Sequence, residues 1–189
     1  MYEQLSNYIR EKITISDEDL DQVLSFFKMM QVKKNEIIIS PGETSQRIYF
    51  VDKGCLRIFF LTEGGTEATR HFAFENQFAT ALVSFITNEI SKEFVQAIED
   101  TNLYYISQKD FYHLLQIIPQ WEKLYRHYLE YAYVSNTNRL MSFITLDATE
   151  RYRQLLAQNP GVVMRMPNKI VASYLNISQE TLSRLKSKA

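Results

Sequence analysis

The chain has 189 residues and a mass of 22.3 kDa, the size of one medium domain or of one domain with a small appendage; at 46% apolar and 13% aromatic residues it can build a core, which excludes general disorder. One cysteine excludes a disulfide framework, a Cys-ligated zinc site and a cysteine-held iron–sulfur cluster within the chain, and no apolar run approaches the roughly 20 residues of a membrane span. The net charge of −1 hides an asymmetry: 14 Lys+Arg stand against 20 Asp+Glu over Met1–Asp147, but 7 against 2 over Ala148–Ala189, which points to a polyanion partner at the C-terminal end.

About Met1–Met30 reads as helical, with Ser16-Asp17-Glu18-Asp19 in the form of a capping box ahead of Leu20, Val23, Leu24 and Phe27 on one face. From Glu36 to Ser107 short β-branched and aromatic runs take over, at 36–39, 47–51, 55–62, 66–74, 93–99 and 103–107. Turn signals or short polar links separate them, among them Pro41-Gly42, Gly54 and the hairpin pair Gly64-Gly65. That spacing predicts an antiparallel roll or barrel.

After Ser107 the helical period returns. A short helix is expected over Lys109–Ile117 and, past Pro119, a long one over Trp121–Leu146, about seven turns. Within it Leu129, Tyr133, Asn136, Leu140 and Phe143 follow a 4-3-4-3 spacing, the pattern of a coiled-coil seam whose polar member, Asn136, can fix register. The same face could pack on the chain's own roll; a dimer seam is favoured for the second half. Asp147-Ala148-Thr149-Glu150 then predicts a freshly capped helix, and with it a hinge and a domain boundary. Pro160-Gly161 reads as a turn, Val162–Met166 as a brief apolar link, and Pro167 as the start of the last two helices.

The segment NKIVASYLNISQETLSRL (168–185) fits a helix-turn-helix position by position. Val171 and Leu175 face inward, Ala172 is small where two helices cross, and Asn176 tolerates the left-handed turn where glycine is usual. Ile177 is expected to plug the core, Ser178 to cap the second helix, and Leu182 and Leu185 to bury its inner face. The outer face shows Gln179, Glu180, Ser183, Arg184 and Lys186, with Lys169 on the first helix, side chains able to read base edges or hold phosphates.

With these segments in view, the chain from about Glu18 to Lys188 resembles the CRP/FNR family of bacterial transcription regulators. The resemblance rests on EIIISPGETSQRIYFVDKGCLRIFF (36–60), LDATERYRQLL (146–156) and ISQETLSRLK (177–186). It implies an α+β fold: N-terminal helices and an antiparallel β-roll of cyclic-nucleotide-binding type, a long dimerisation helix (about 120–146) and a small helix-turn-helix domain (147–189), the sensor part being 1–146. It further implies that Gln179, Glu180 and Arg184 match three base-contacting positions, alongside Ser178, Ser183, Lys186 and Lys169 at the DNA.

Family members that bind cyclic AMP carry a Gly-Glu pair in a phosphate cassette and an Arg-Ser pair after it. Here the cassette reads FENQFATALVSF (74–85) without Gly-Glu, and the later pair aligns with Ser91-Lys92. A buried phosphodiester would lose its bidentate arginine, for which Lys92 is a poor substitute. Phe74, Phe78 and Phe85 could fill the pocket or line it for an apolar effector. The candidate pocket comprises Phe74, Gln77, Phe78, Thr80, Ser91 and Lys92, with Asn136 and Thr137 at the family's adenine-contact positions. His71, His113 and His127 show no haem- or metal-ligand spacing, and no nucleotide loop, nucleophile elbow or HExxH motif appears.

The reading is a cytoplasmic, non-enzymatic regulator that binds double-stranded DNA as a homodimer at an inverted repeat. It needs no cofactor or metal, has no membrane partner, and takes an unknown small-molecule effector that is not cyclic AMP; RNA polymerase is a further candidate partner. The opening MYEQLSNYIREKI has no apolar signal core. The alternative is a cyclic-nucleotide-domain-type module that binds a ligand or a protein and does not read DNA.

Overall fold

Ser16 closes the first element boundary as its sequence implies: its side chain accepts from the Asp19 backbone N–H, supplying one of the donors a helix start leaves open. In the computed structural model, which describes residues 2–187, helices α1 (Glu3–Lys12) and α2 (Asp17–Ser25) bury Leu5, Ile9, Leu20, Val23 and Leu24. The chain forms two compact units, the first Met1–Ile58 with Phe72–Tyr131, the second Phe59–His71 with Ala132–Ala189.

The helical expectation up to Met30 is overturned in the first unit. The Phe26 and Phe27 amides bond back to Val23 and Leu24 and end α2, and Lys28–Val32 becomes strand β1. It pairs antiparallel with the eighth strand, from Lys28 opposite Tyr105 to Val32 opposite Thr101. The partner lies some seventy residues away, so no local signal announces the strand. There follow β2 (Ile37–Ile39), β3 (Arg47–Lys53), β4 (Leu56–Leu61), β5 (Glu67–Ala73), β6 (Phe78–Ala79), helix α3 (Leu82–Thr87), β7 (Phe94–Ala97) and β8 (Thr101–Ser107). The sequence reading lacked β6 and α3.

The strands make two four-stranded sheets, in orders β1-β8-β3-β6 and β2-β7-β4-β5. Alternate faces of β3 and β8 feed two cores. One holds Ile48, Phe50, Tyr104 and Ile106 with the helices; the other holds Tyr49, Val51, Leu103, Leu56, Ile58 and Val95. Gly54, at φ +107, turns β3 into β4; a Cβ there would come within 2.5 Å of Thr101 Oγ1 and 2.9 Å of its Cα, so only glycine fits. Helix α4 (Gln108–Ile117) is capped by Ser107. Helix α5 (Pro119–Thr145) opens at Pro119 and seats Trp121 and Leu124 in the first core.

Among the described residues the second unit contains the β4–β5 hairpin end, the later part of α5, and the short helices α6 (Ala148–Gln158), α7 (Pro160–Arg165), α8 (Asn168–Leu175) and α9 (Gln179–Lys186). The expected capping box is complete: Asp147 Oδ1 accepts from Glu150 N at 2.9 Å, and Glu150 Oε2 accepts from Asp147 N at 2.9 Å. Pro160-Gly161 is not a turn. Pro160 is the first residue of α7, where its missing N–H costs nothing, and Val162 is buried. Among the described residues no helix is long and apolar enough to cross a membrane.

Candidate nucleic-acid interface and the cassette of the roll

Helices α8 and α9 form the anticipated helix-turn-helix. Asn176 sits in the left-handed region (φ 53, ψ 52). Its N–H bonds to Ser173 O, and the Ile177 N–H to Ala172 O, the paired bonds that finish a helix before a sharp reversal. Val171, Ala172, Leu175 and Leu182 are buried, each large one contributing roughly 1.5–3 kcal/mol. Ile177 and Leu185 are only half-buried, so Ile177 is a partial plug. Ser178, one of the expected DNA contacts, caps α9 by accepting from Thr181 N.

Gln179, Glu180, Ser183 and Arg184 are exposed, Glu180 and Arg184 on the face opposite the buried Leu182. Hydrogen bonds from the Ser178 side chain and from its own backbone, with the nearby Arg184 charge, hold the Glu180 carboxyl below its ordinary range. Lys169 is exposed. Lys186 is partly covered and donates to Asn168 Oδ1 at 2.6 Å, tying the end of α9 to the start of α8. Lys188, within the span of the resemblance, lies outside the described residues.

Within the same unit α8 is fastened to the β4–β5 hairpin. The Ser173 hydroxyl donates to Glu67 O at 2.7 Å and accepts from Thr69 N at 2.9 Å. Its single proton being engaged, the Thr69 hydroxyl donates to it at 2.9 Å. Arg139 of α5 donates to both Thr69 O and Tyr174 O at 2.7 Å, with its guanidinium 3.9 Å from the Tyr174 ring centre. Arg151 reaches the Leu146 and Leu175 carbonyls. Burial, with Arg70 and Arg139 adding to it, pushes the His71 imidazole down to about 4, so it is neutral near pH 7. None of these clamp residues was singled out for such a role in the sequence; a lone arginine or serine on a helix gives no local sign of a partner on a distant strand.

The seam expected along α5 is only partly available. Phe143 lies under the guanidinium groups of Arg139 and Arg151, at 4.8 and 5.3 Å, and Asn136 Oδ1 accepts from Arg70 at 3.1 Å. Leu129 is half-buried. Tyr133 (72% exposed), Asn136 and Leu140 (60%) are open, as are Thr137 and Ile144 (69%), with Val134 and Met141 alongside. The open stripe 133-137-140-144 thus keeps Tyr133 and Leu140 of the expected seam and takes Ile144 in place of the covered Phe143.

The cassette of the first unit is filled. Phe78 is 7% exposed and its ring lies 5.1, 5.6 and 6.1 Å from those of Phe50, Tyr8 and Tyr128. Thr80 is buried and donates to Arg47 O at 2.7 Å, with Ser45 Oγ also 2.7 Å away. Ser84 accepts from Ser45 N and donates to Glu89 O. Ser91, at the arginine position, is buried and closes a turn by bonding both the N–H and C=O of Glu93. Gln77 Oε1 accepts from Phe74 N, Phe74 is half-buried beside Phe72, Phe85 is fully buried, and Lys92 is exposed. The structure thus clusters Thr80 with Ser45 and Ser84 and leaves Lys92 exposed; Asn136 and Thr137 belong to the second unit.

Comparison with known proteins fits this geometry. Residues 29–117 match the model of the cyclic nucleotide-binding domain, the span from β1 to the end of α4. The chain is 25% identical to the cyclic AMP receptor protein of Thermus thermophilus over 179 residues, which is 90% of this chain and 81% of that protein. Its fold is similar to that of FixK2 from Bradyrhizobium japonicum, with a TM-score of 0.75 at 17% identity over 86% of this chain and 83% of that one. It is likewise similar to a protein assigned to the crp/fnr family of transcriptional regulators from Eubacterium rectale, with a TM-score of 0.74 at 16% identity over 95% of this chain and 85% of that one. Residues 29–117 thus form a segment similar to the cyclic nucleotide-binding domain. More particularly, the chain has the α+β fold of CRP/FNR-type transcription regulators, as its motifs implied.

Proposed function

We propose that this protein is a homodimeric, sequence-specific DNA-binding regulator of transcription. The observation that carries the reading is the exposed surface of α9, where Gln179, Glu180, Ser183 and Arg184 stand open to solvent on a helix anchored by the buried Leu182. Arg184 suits a bidentate contact to guanine O6 and N7, and Lys169 and Lys186 suit phosphates. The basic balance of residues 148–189 supports the same surface. The stripe Tyr133, Thr137, Leu140 and Ile144 is the dimer seam, and two-fold symmetry calls for an inverted repeat with half-sites roughly 34–36 Å apart.

The sensor part is 1–146 and the reading part 147–189, joined at the Leu146–Thr149 hinge. An effector acts by binding one arrangement of the reading parts better than another, and RNA polymerase is a candidate partner at the promoter. The effector is not a cyclic nucleotide: the polar groups of the cassette are engaged with one another, and Ser91 stands where a charge-assisted donor is needed. Selection of bound fragments from random duplex DNA, followed by gel shift, tests the reading. An inverted repeat bound in preference to competitor DNA is expected. Equal binding of all sequences, or none, would favour a ligand- or protein-binding module.

A further inference from the structure

The first unit holds a cleft of about 300 Å³ that the DNA-binding reading does not use. It lies between α1, the β5–β6 turn and the first half of α5. Its walls are the rings of Tyr8, Phe78, Tyr128 and Tyr131. Its polar groups are Lys12 of α1, His127 of α5, and the Asn76 and Gln77 amides of the turn, and no described lining residue is a carboxylate. We propose that this cleft binds a planar aromatic carboxylate.

Four aromatic rings around one space favour a flat π-system, by offset or edge contacts. The volume is at the lower end of the range for small-ligand sites, roughly 300–1,000 Å³. Lys12 sets the charge of the guest. Its amino group lies 5.7 Å from the Tyr8 ring centre, at the rim of the aromatic wall. Its ion-pair partner is the adjacent Glu11, at 3.0 Å, and His127 Nδ1 has Glu130 at 3.8 Å. Both contacts are solvent-exposed, where water screens them and they contribute little. A guest carboxylate can therefore replace Glu11 at the ammonium at little cost. The Tyr8 hydroxyl, its pKa raised chiefly by burial and then by Glu11 and Tyr131, stays protonated and can donate. A single permanent cation matches one negative charge, which disfavours di- and triphosphates.

The cleft is distinct from the dimer stripe. At 3.6 residues per turn, Tyr131 stands roughly a third of a turn from Thr137 around α5. It is also distinct from the cassette hydroxyls, since neither Thr80 nor Ser91 lines it.

Calorimetric titration of the full chain with 2-naphthoate tests the assignment, with 2-naphthamide as neutral isostere and hexanoate as non-aromatic anion. Saturable binding of one naphthoate per chain is expected, weakened at least about tenfold in Lys12→Met, with both controls at least about tenfold weaker. Lys92→Ala should leave it unchanged. Lys12 and Lys92 are surface residues, and circular dichroism verifies that each variant is folded. No saturation below millimolar naphthoate, equal affinity for the amide, equal affinity of Lys12→Met, or loss with Lys92→Ala would each overturn the proposal.

Discussion

The cassette, with its neighbour Ser45, and the helix-turn-helix both carry polar side chains and treat them in opposite ways. Ser45, Thr80, Ser84 and Ser91 are buried, and each bonds to its neighbours or to the backbone around it. Gln179, Glu180, Ser183 and Arg184 face solvent on a helix that Ser178 and Leu182 already hold in place. Recognition needs groups whose hydrogen-bonding capacity the fold leaves unfilled, and a buried group already bonded gains nothing from a ligand. One architecture can thus keep a working surface in one region while closing another with its own side chains.

The largest way to break this comparison is to remove the proposed seam. Leu140→Glu with Ile144→Glu should yield monomers and lower affinity for a selected site by more than about a hundredfold, because each half-site would then bind alone. Sedimentation and gel shift read both effects. An unchanged dimer would put the interface elsewhere.

Acid should loosen the second unit next. His71 titrates near 4 in the folded chain against 6.5 in an unfolded one. Its contribution is complete above about pH 6.5 and is lost as pH falls toward 4, because the unfolded chain then binds the proton more readily, by roughly 3 kcal/mol in all. Urea denaturation at a series of pH values reads this slope, and His71→Gln should flatten it. An identical slope in the variant would sink the assignment.

Arg184→Ala should cost about 1–3 kcal/mol on the selected site and relax preference at one base pair per half-site. If affinity and preference survived, α9 would not be the reading element. At the other extreme, cyclic AMP and cyclic GMP should give no heat of binding and no change in DNA affinity. Micromolar binding of either, abolished by Lys92→Ala, would show that the exposed lysine replaces the missing arginine and that the cassette opens.

The helix-turn-helix was legible because its determinants are local. A capping serine, an asparagine able to turn left-handed and leucines at helical spacing act within 18 residues, 168–185. The capping box at Asp147 and the turn at Gly54 were legible for the same reason. Strand β1 was misread because Lys28–Val32 is strand only through its pairing with β8. Helix α7 was misread because Pro-Gly serves as a turn or as a helix start, though Asn159 before Pro160 was a usable sign of the second.

By itself the sequence determined the helix-turn-helix, the capped boundary at Asp147 and the absence of arginine from the cassette, since each follows from residue type and short-range spacing. The tertiary structure decided which polar groups remain open. That Ser173 fastens α8 to Thr69 and Glu67, that Arg139 bonds Thr69 and Tyr174, and that four aromatic rings meet around Lys12 all depend on segments far apart in the chain. A side chain's period tells which face it shares; only the packed partner tells whether that face is covered.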